Sequence, residues 1–172
     1  MRAMPLAIAV LAAALSGANA AAAATFSGVP EIIDGDTAQF GATKFRLDGI
    51  DAPQMDQRCF DKIGTDWNCG IDARQHLMTL AAGRSWSCAT VRKNLYGRQF
   101  ARCQVGDADI ARQMVREGWA IASTTEVATY LPDQNLAKAD RAGLWAGSFV
   151  FAARLAATQL ARQSARPRIN RR

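Results

Sequence analysis

Asp36, Arg46, Asp51 and Arg98 are the residues of this 172-residue sequence whose types and spacing point most directly to chemistry. Carboxylates from separate segments suit a hard cation such as calcium or magnesium, with carbonyls and water completing the shell. Two arginines beside such a pair suit a phosphate, because each guanidinium gives two parallel hydrogen bonds to its oxygens. Together they fit phosphodiester cleavage, in which an ion positions and activates water and arginines stabilise the extra charge of a five-coordinate transition state. Each part alone is commonplace. An Asp-Gly-Asp run is ordinarily a solvated turn, and a strand arginine ordinarily lies along the surface on its own stem. Order and spacing carry the reading.

The elements that must position these groups follow from periodicity and turn residues. Glu31-Ile32-Ile33 leads into Asp34-Gly35-Asp36-Thr37 and then Ala38-Gln39-Phe40, so Asp36 sits at a strand start. Gly41-Ala42-Thr43 reads as a turn, and Lys44–Ile50 alternates as a strand. Period-two geometry puts Phe45 and Leu47 on one face and Lys44, Arg46 and Asp48 on the other. Asp51-Ala52-Pro53 ends that strand, since proline cannot donate to the ladder. After a polar loop, Ile71–Ala82 reads as a helix with Asp72 near its start and Gly83 as its stop. Ser85–Arg92 and Gln99–Val105 form a hairpin through Asn94-Leu95-Tyr96-Gly97, with Arg98 just beyond the turn. Asp107 or Asp109 caps a second helix with an Ile110, Met114 and Val115 stripe and a stop at Gly118. Pro132-Asp133 opens a third, ending at Gly143. An amphipathic stretch from Ser148, with Phe151 and Leu155, reads as a further helix, and SARPRINRR as a disordered end.

The cysteines and charges set the context. Cys59, Cys69, Cys88 and Cys103 include no CxxC pair and no Cys/His cluster, so disulfides are expected rather than zinc. A turn centred on Leu95-Tyr96 sets Cys88 and Cys103 opposite each other across the hairpin, leaving Cys59 to pair with Cys69. Arg2, the apolar run Met4–Leu15 and Ala18-Asn19-Ala20 form a secretory signal over residues 1–24, the run being too short to span a bilayer. A periplasmic or secreted protein follows, with no stable membrane insertion after signal cleavage. The chain carries 21 Lys+Arg against 15 Asp+Glu, but six of those arginines lie beyond Ser148 and one in the signal. Residues 25–148 are therefore close to neutral, and the basicity belongs to an extension over 149–172. His76 reads as a surface or packing residue, and Trp67, Trp86, Trp119 and Trp145 as core or loop anchors.

DGDT (34–37), RLDGIDAPQ (46–54), YGR (96–98), VREGWA (115–120) and GLWAG (143–147) occur in the order found in staphylococcal-nuclease-type (thermonuclease) domains, which this chain resembles over Ile33–Phe149. The resemblance implies a mainly β, α+β fold: a five-stranded OB-fold barrel with about three packed helices in residues 25–148. It also implies calcium-dependent cleavage of DNA or RNA by a monomer holding one Ca²⁺. On that basis Asp36, Asp51 and the Ala52 carbonyl are expected to hold the ion. Arg46 and Arg98 are expected to bind the phosphate and its transition state, and Tyr96 to lie against the phosphate.

Three departures qualify this. The glutamate that the family holds beside the attacking water falls at Gln54, whose amide accepts a hydrogen bond but takes no proton at neutral pH. Asp48 and Asp56 are the nearby carboxylates that could substitute. The tyrosines lining the family's base pocket fall at Thr124 and Glu126, and its closing Pro and Trp-Arg are replaced by Phe149–Arg154. A slow nuclease is the first expectation. An impaired OB-fold module binding nucleic acid or another anionic polymer is the second.

Overall fold

The computed structural model describes residues 24–123 and 129–150. The strands are β1 (Thr25–Gly28), β2 (Glu31–Asp34), β3 (Thr37–Phe40), β4 (Thr43–Leu47), β5 (Ile50–Asp51), β6 (Cys59–Phe60), β7 (Asp66–Trp67), β8 (Trp86–Lys93), β9 (Gln99–Val105), β10 (Ala108–Asp109) and β11 (Ile121–Ala122). The helices are α1 (Cys69–Ala81), α2 (Ile110–Arg116) and α3 (Leu131–Ala139), followed by a 3₁₀ turn over Gly143–Ala146. The main sheet runs β1-β8-β9-β4-β3-β2 and curls into a half-barrel with the helices packed on it, as an OB-fold-like domain requires. β4 and β9 pair in parallel and the other neighbours antiparallel.

Alternation builds the core. Phe45 and Leu47 are fully buried while Lys44 and Arg46 face outward, and on β9 Ala101, Cys103 and Val105 turn inward. Helix α1 meets this layer through Ala73, Leu77 and Ala81, spaced four apart on one face. Phe45 packs among Phe26 and Phe40, the first edge-on and the second stacked.

Several boundaries differ from the sequence expectation, each for a local reason. The strand read over Lys44–Ile50 is broken at Asp48-Gly49, where a positive φ at Gly49 turns the chain from β4 into β5. β1 was not expected; it pairs with β8 as an additional edge strand. α1 starts at Cys69 because Asn68, not Asp72, accepts the Ile71 N–H at 3.1 Å. Asp109 is the cap of α2, accepting from Arg112 N. α3 stops at Ala139, before the left-handed Arg141, and Gly143 opens the 3₁₀ turn instead. A Cβ at Gly118 would lie 2.1 Å from the Ala142 carbonyl oxygen, and one at Gly143 2.6 Å from that of Gly118. The glycines of VREGWA and GLWAG thus let two backbones touch, with Leu144 N donating to Gly118 O at 3.0 Å. Thr124, Glu126 and residues 1–23 lie outside the described residues, as does most of the helix expected from Ser148; its described start, 148–150, is not helical, because Ser148 bridges to Phe60 instead.

Both disulfides form as expected, Cys59–Cys69 and Cys88–Cys103, with Cα atoms 5.7 and 4.1 Å apart. The hairpin centre differs: Lys93 pairs with Gln99, centring the loop on Tyr96, and an extra residue at Val91 restores the Cys88–Cys103 register. Cys88→Ala with Cys103→Ala is expected to lower stability by about 2–4 kcal/mol, read by chemical unfolding of the oxidised proteins. A loss below ~0.5 kcal/mol would mean that the cross-link removes little entropy from the unfolded chain.

Candidate functional site

The β2–β3 turn is built to present Asp36. Asp34 Oδ1 accepts the Asp36 N–H at 3.1 Å, closing the turn. A Cβ at Gly35 would lie 2.8 Å from that of Ala52 and 3.0 Å from that of Ala73, so glycine there lets α1 and the Ala52 loop close over the turn. Asp36 is 1 % exposed, and its oxygens accept from Thr37 Oγ1 and Ala52 N, each at 2.9 Å. Arg46, opposite Thr37 on β4, brings one terminal nitrogen to Asp36 Oδ2 and to Asp51 Oδ1. Asp36, Arg46, Asp51 and the Ala52 N–H therefore lie in one cluster.

Burial pushes the Asp36 carboxyl up to about 6, the Arg46 cation and the Ala52 N–H opposing it only in part. Burial also works against the Arg46 cation, but the Asp36 carboxylate, with Asp51 and Asp34, outweighs it and raises the guanidinium pKa. A carboxyl whose folded pKa is raised contributes stability present below its unfolded value of 3.8 and lost as pH rises through about 6. In chelator, Asp36→Asn is expected to flatten the fall in stability between about pH 4 and 7. Thermal unfolding across that range checks it; a destabilised variant with the wild-type slope would contradict it.

A cleft of about 310 Å³ opens beside this cluster, lined by Thr37, Lys44, Phe45, Arg46, Tyr96, Gly97 and Arg98. Arg98 and Tyr96 reach it from the hairpin tip, where Asn94 Oδ1 accepts the N–H of both, at 2.9 and 3.0 Å. Tyr96 is 93 % exposed, and Arg98 is exposed. Two cationic guanidiniums and a phenol thus share one open wall.

The residues fit both a hard cation and a phosphate. Asp36 and Asp51 leave the cluster negative even with Arg46 in place, Asp51 is partly open to solvent, and the donors are all oxygens. Among the described residues no group of three or more His, Cys, Asp or Glu side chains forms a metal cage, so carbonyl and water oxygens must complete any shell. Arg46 Nε is buried without a hydrogen-bond partner, a donor suited to an anion's oxygen.

The other candidates are placed differently. Gln54 is exposed, and its carbonyl accepts from Gln57 N at 2.9 Å to open the next turn. Asp56 is also exposed. Asp48 is unavailable as a substitute base: it is buried, accepts from Arg92 Nε at 3.0 Å and faces Arg102 Nε at 3.7 Å. Sequence reasoning missed that network and the Thr37 hydroxyl; only the polar Thr after DGD signalled the latter. His76 is a packing residue, stacked on Trp119 and bonded to Glu117 Oε2 at 2.5 Å. No helix among the described residues is long and apolar enough to cross a membrane.

Residues 44–147 match the family model described as staphylococcal nuclease homologue, a span holding Arg46, Asp51, Ala52, Gln54, Tyr96 and Arg98. The chain is also similar to the succinoglycan biosynthesis protein ExoI of Rhizobium meliloti (strain 1021), 34% identical over 140 residues covering 80% of this chain and 73% of that protein. With an OB-fold-like sheet, the paired carboxylates and arginines, and these matches, the chain belongs to the staphylococcal nuclease homologue family.

Proposed function

We propose that the protein is an exported Ca²⁺-dependent nuclease that hydrolyses phosphodiester bonds of DNA or RNA, slowed by glutamine at position 54. The observation that carries this reading is the Asp36–Arg46–Asp51 cluster opening onto a cleft shared with Arg98. Asp36, Asp51 and the Ala52 carbonyl would hold calcium, which when bound supplies a Lewis-acidic charge beside the scissile phosphate. Arg46 from β4 and Arg98 from the β8–β9 hairpin tip bind the non-bridging phosphate oxygens, and their charge stabilises the transition state more than the ground state. Tyr96 lies against the phosphate and donates through its hydroxyl. Attack by water forms a P–O bond and breaks the bond to the leaving oxygen, and the water must shed a proton. The Gln54 amide orients that water by accepting a hydrogen bond, but the proton goes to solvent, from which the leaving oxygen takes one to depart as the alcohol. The two disulfides and the signal-like N-terminus support an oxidising, extracytoplasmic location.

Gln54 favours a second reading, a module that binds nucleic acid or another anionic polymer without cutting it. The ExoI relative is named for succinoglycan biosynthesis, which makes succinoglycan the second polymer to test. End-labelled DNA and RNA incubated with the mature protein and calcium separate the two. Shortened products support the nuclease; a retarded complex of full-length polymer supports the binding module.

A further inference from the structure

Asp48 is a carboxylate that the proposed chemistry leaves unused, yet it is 6 % exposed and engages two arginines. It stands at the end of β4, between Arg46 and Asp51 in sequence, while Arg92 and Arg102 belong to β8 and β9. The Asp48 N–H donates to Ala101 O at 2.9 Å, and the Asp48 carboxylate accepts from Arg92 Nε at 3.0 Å. β9 lies between β4 and β8, so this ion pair crosses a whole strand. The Arg92 guanidinium makes the crossing over the Phe100 ring, 3.5 Å from its centre, and Phe100 is the direct strand neighbour of Arg46. Arg92, Phe100 and Asp48 thus form one strap over three strands.

The strap sits where the hairpin needs a fixed base. The β8–β9 register shifts at Val91, immediately before Arg92. Beyond it, Leu95 and Tyr96 are almost fully exposed, and the hydrogen bonds of the tip are local to Asn94–Arg98. The parallel ladder joining β9 to β4 is three residues long, from Phe45–Gln99 to Leu47–Ala101. Where Arg98 lies relative to Arg46 therefore depends on that ladder and on the Asp48–Arg92 pair.

We propose that Asp48 is a positioning residue that, through Arg92 and Phe100, sets the hairpin tip so that Arg98 and Arg46 converge on one phosphate. This rests on reading Arg98 as a phosphate ligand. The neutral isostere of Asp48 loosens the strap without removing either arginine of the cleft, and a displacement near 1 Å is enough to cost on the order of 100-fold in rate.

A double-mutant cycle of Asp48→Asn and Arg98→Ala tests it, read as kcat/KM on a short oligonucleotide and as Kd for its phosphorothioate analogue. Asp48→Asn is expected to lower kcat/KM by roughly 10–100-fold in the wild-type background and by less than about twofold beside Arg98→Ala. Equal losses in both backgrounds, or none in either, would overturn the proposal. Should the wild type bind without cutting, the nuclease reading fails but the Kd cycle still decides, since Asp48→Asn must then weaken binding only where Arg98 is present. If Asp48→Asn does not fold, Arg92→Lys keeps the charge but loses the flat contact with Phe100, and the same coupling to Arg98 is required of it.

Discussion

Gln54→Glu is expected to raise the cleavage rate by about 10²–10⁴-fold with little change in oligonucleotide affinity, because it adds a proton acceptor and no phosphate contact. Gln54 follows Ala52-Pro53 directly, so it is tied in sequence to the carboxylate cluster while remaining exposed. Its main-chain carbonyl fixes the following turn through Gln57, and that bond is independent of the side chain. The substitution is therefore expected to leave the fold unchanged. Single-turnover cleavage across pH separates the possibilities: the variant gains a limb that rises as the new carboxylate ionises, over and above the pH dependence it shares with wild type. An unchanged rate and profile would show that position 54 does not face the attacking water.

Arg46→Ala and Arg98→Ala are each expected to reduce kcat by about 10²–10³-fold, the usual cost of removing a donor aimed at developing charge. Their side effects should differ, because their surroundings do. Arg98 is exposed, its backbone N–H is held by Asn94 whatever its side chain, and its loss should leave stability untouched. Arg46 is the cation shared by Asp36 and Asp51. Removing it leaves two carboxylates facing each other, so the apo protein should lose stability at neutral pH while calcium binds more tightly. Calorimetric calcium titrations beside the cleavage assay check this pairing. Weaker calcium binding in Arg46→Ala would mean that the arginine orders the site rather than competing with the ion.

The parts of the structure legible from sequence are those fixed by short-range rules. Phe45 and Leu47 alternate with Lys44 and Arg46, and that alternation put Arg46 on the outer face beside Asp36. The hairpin arithmetic matched Cys88 to Cys103 even though the loop centre was displaced, because the bulge at Val91 compensates for it. The turn at Asp48-Gly49 shows in the sequence only as a break in the alternation, since Ile50 falls in phase with Lys44 and Arg46 yet is buried; a positive φ at Gly49 ends the strand. The helix end at Ala139 was hidden because Asp140 and Arg141 carry no stop signal; Arg141 adopts a left-handed conformation that its residue type disfavours. The Asp48–Arg92 pair spans 44 positions and is created by sheet order, which no local pattern encodes. The site residues on adjacent turns and strands were therefore readable, while the contacts that hold those strands in place were not.

The most direct measurement is cleavage of a labelled oligonucleotide by the mature protein in calcium and in excess chelator, with Arg46→Ala alongside. Slow cleavage that needs calcium and falls by about 10²–10³-fold in the variant is the expected result. Cleavage that persists in chelator and survives Arg46→Ala would contradict the assignment of the Asp36–Arg46–Asp51 cluster as the catalytic centre.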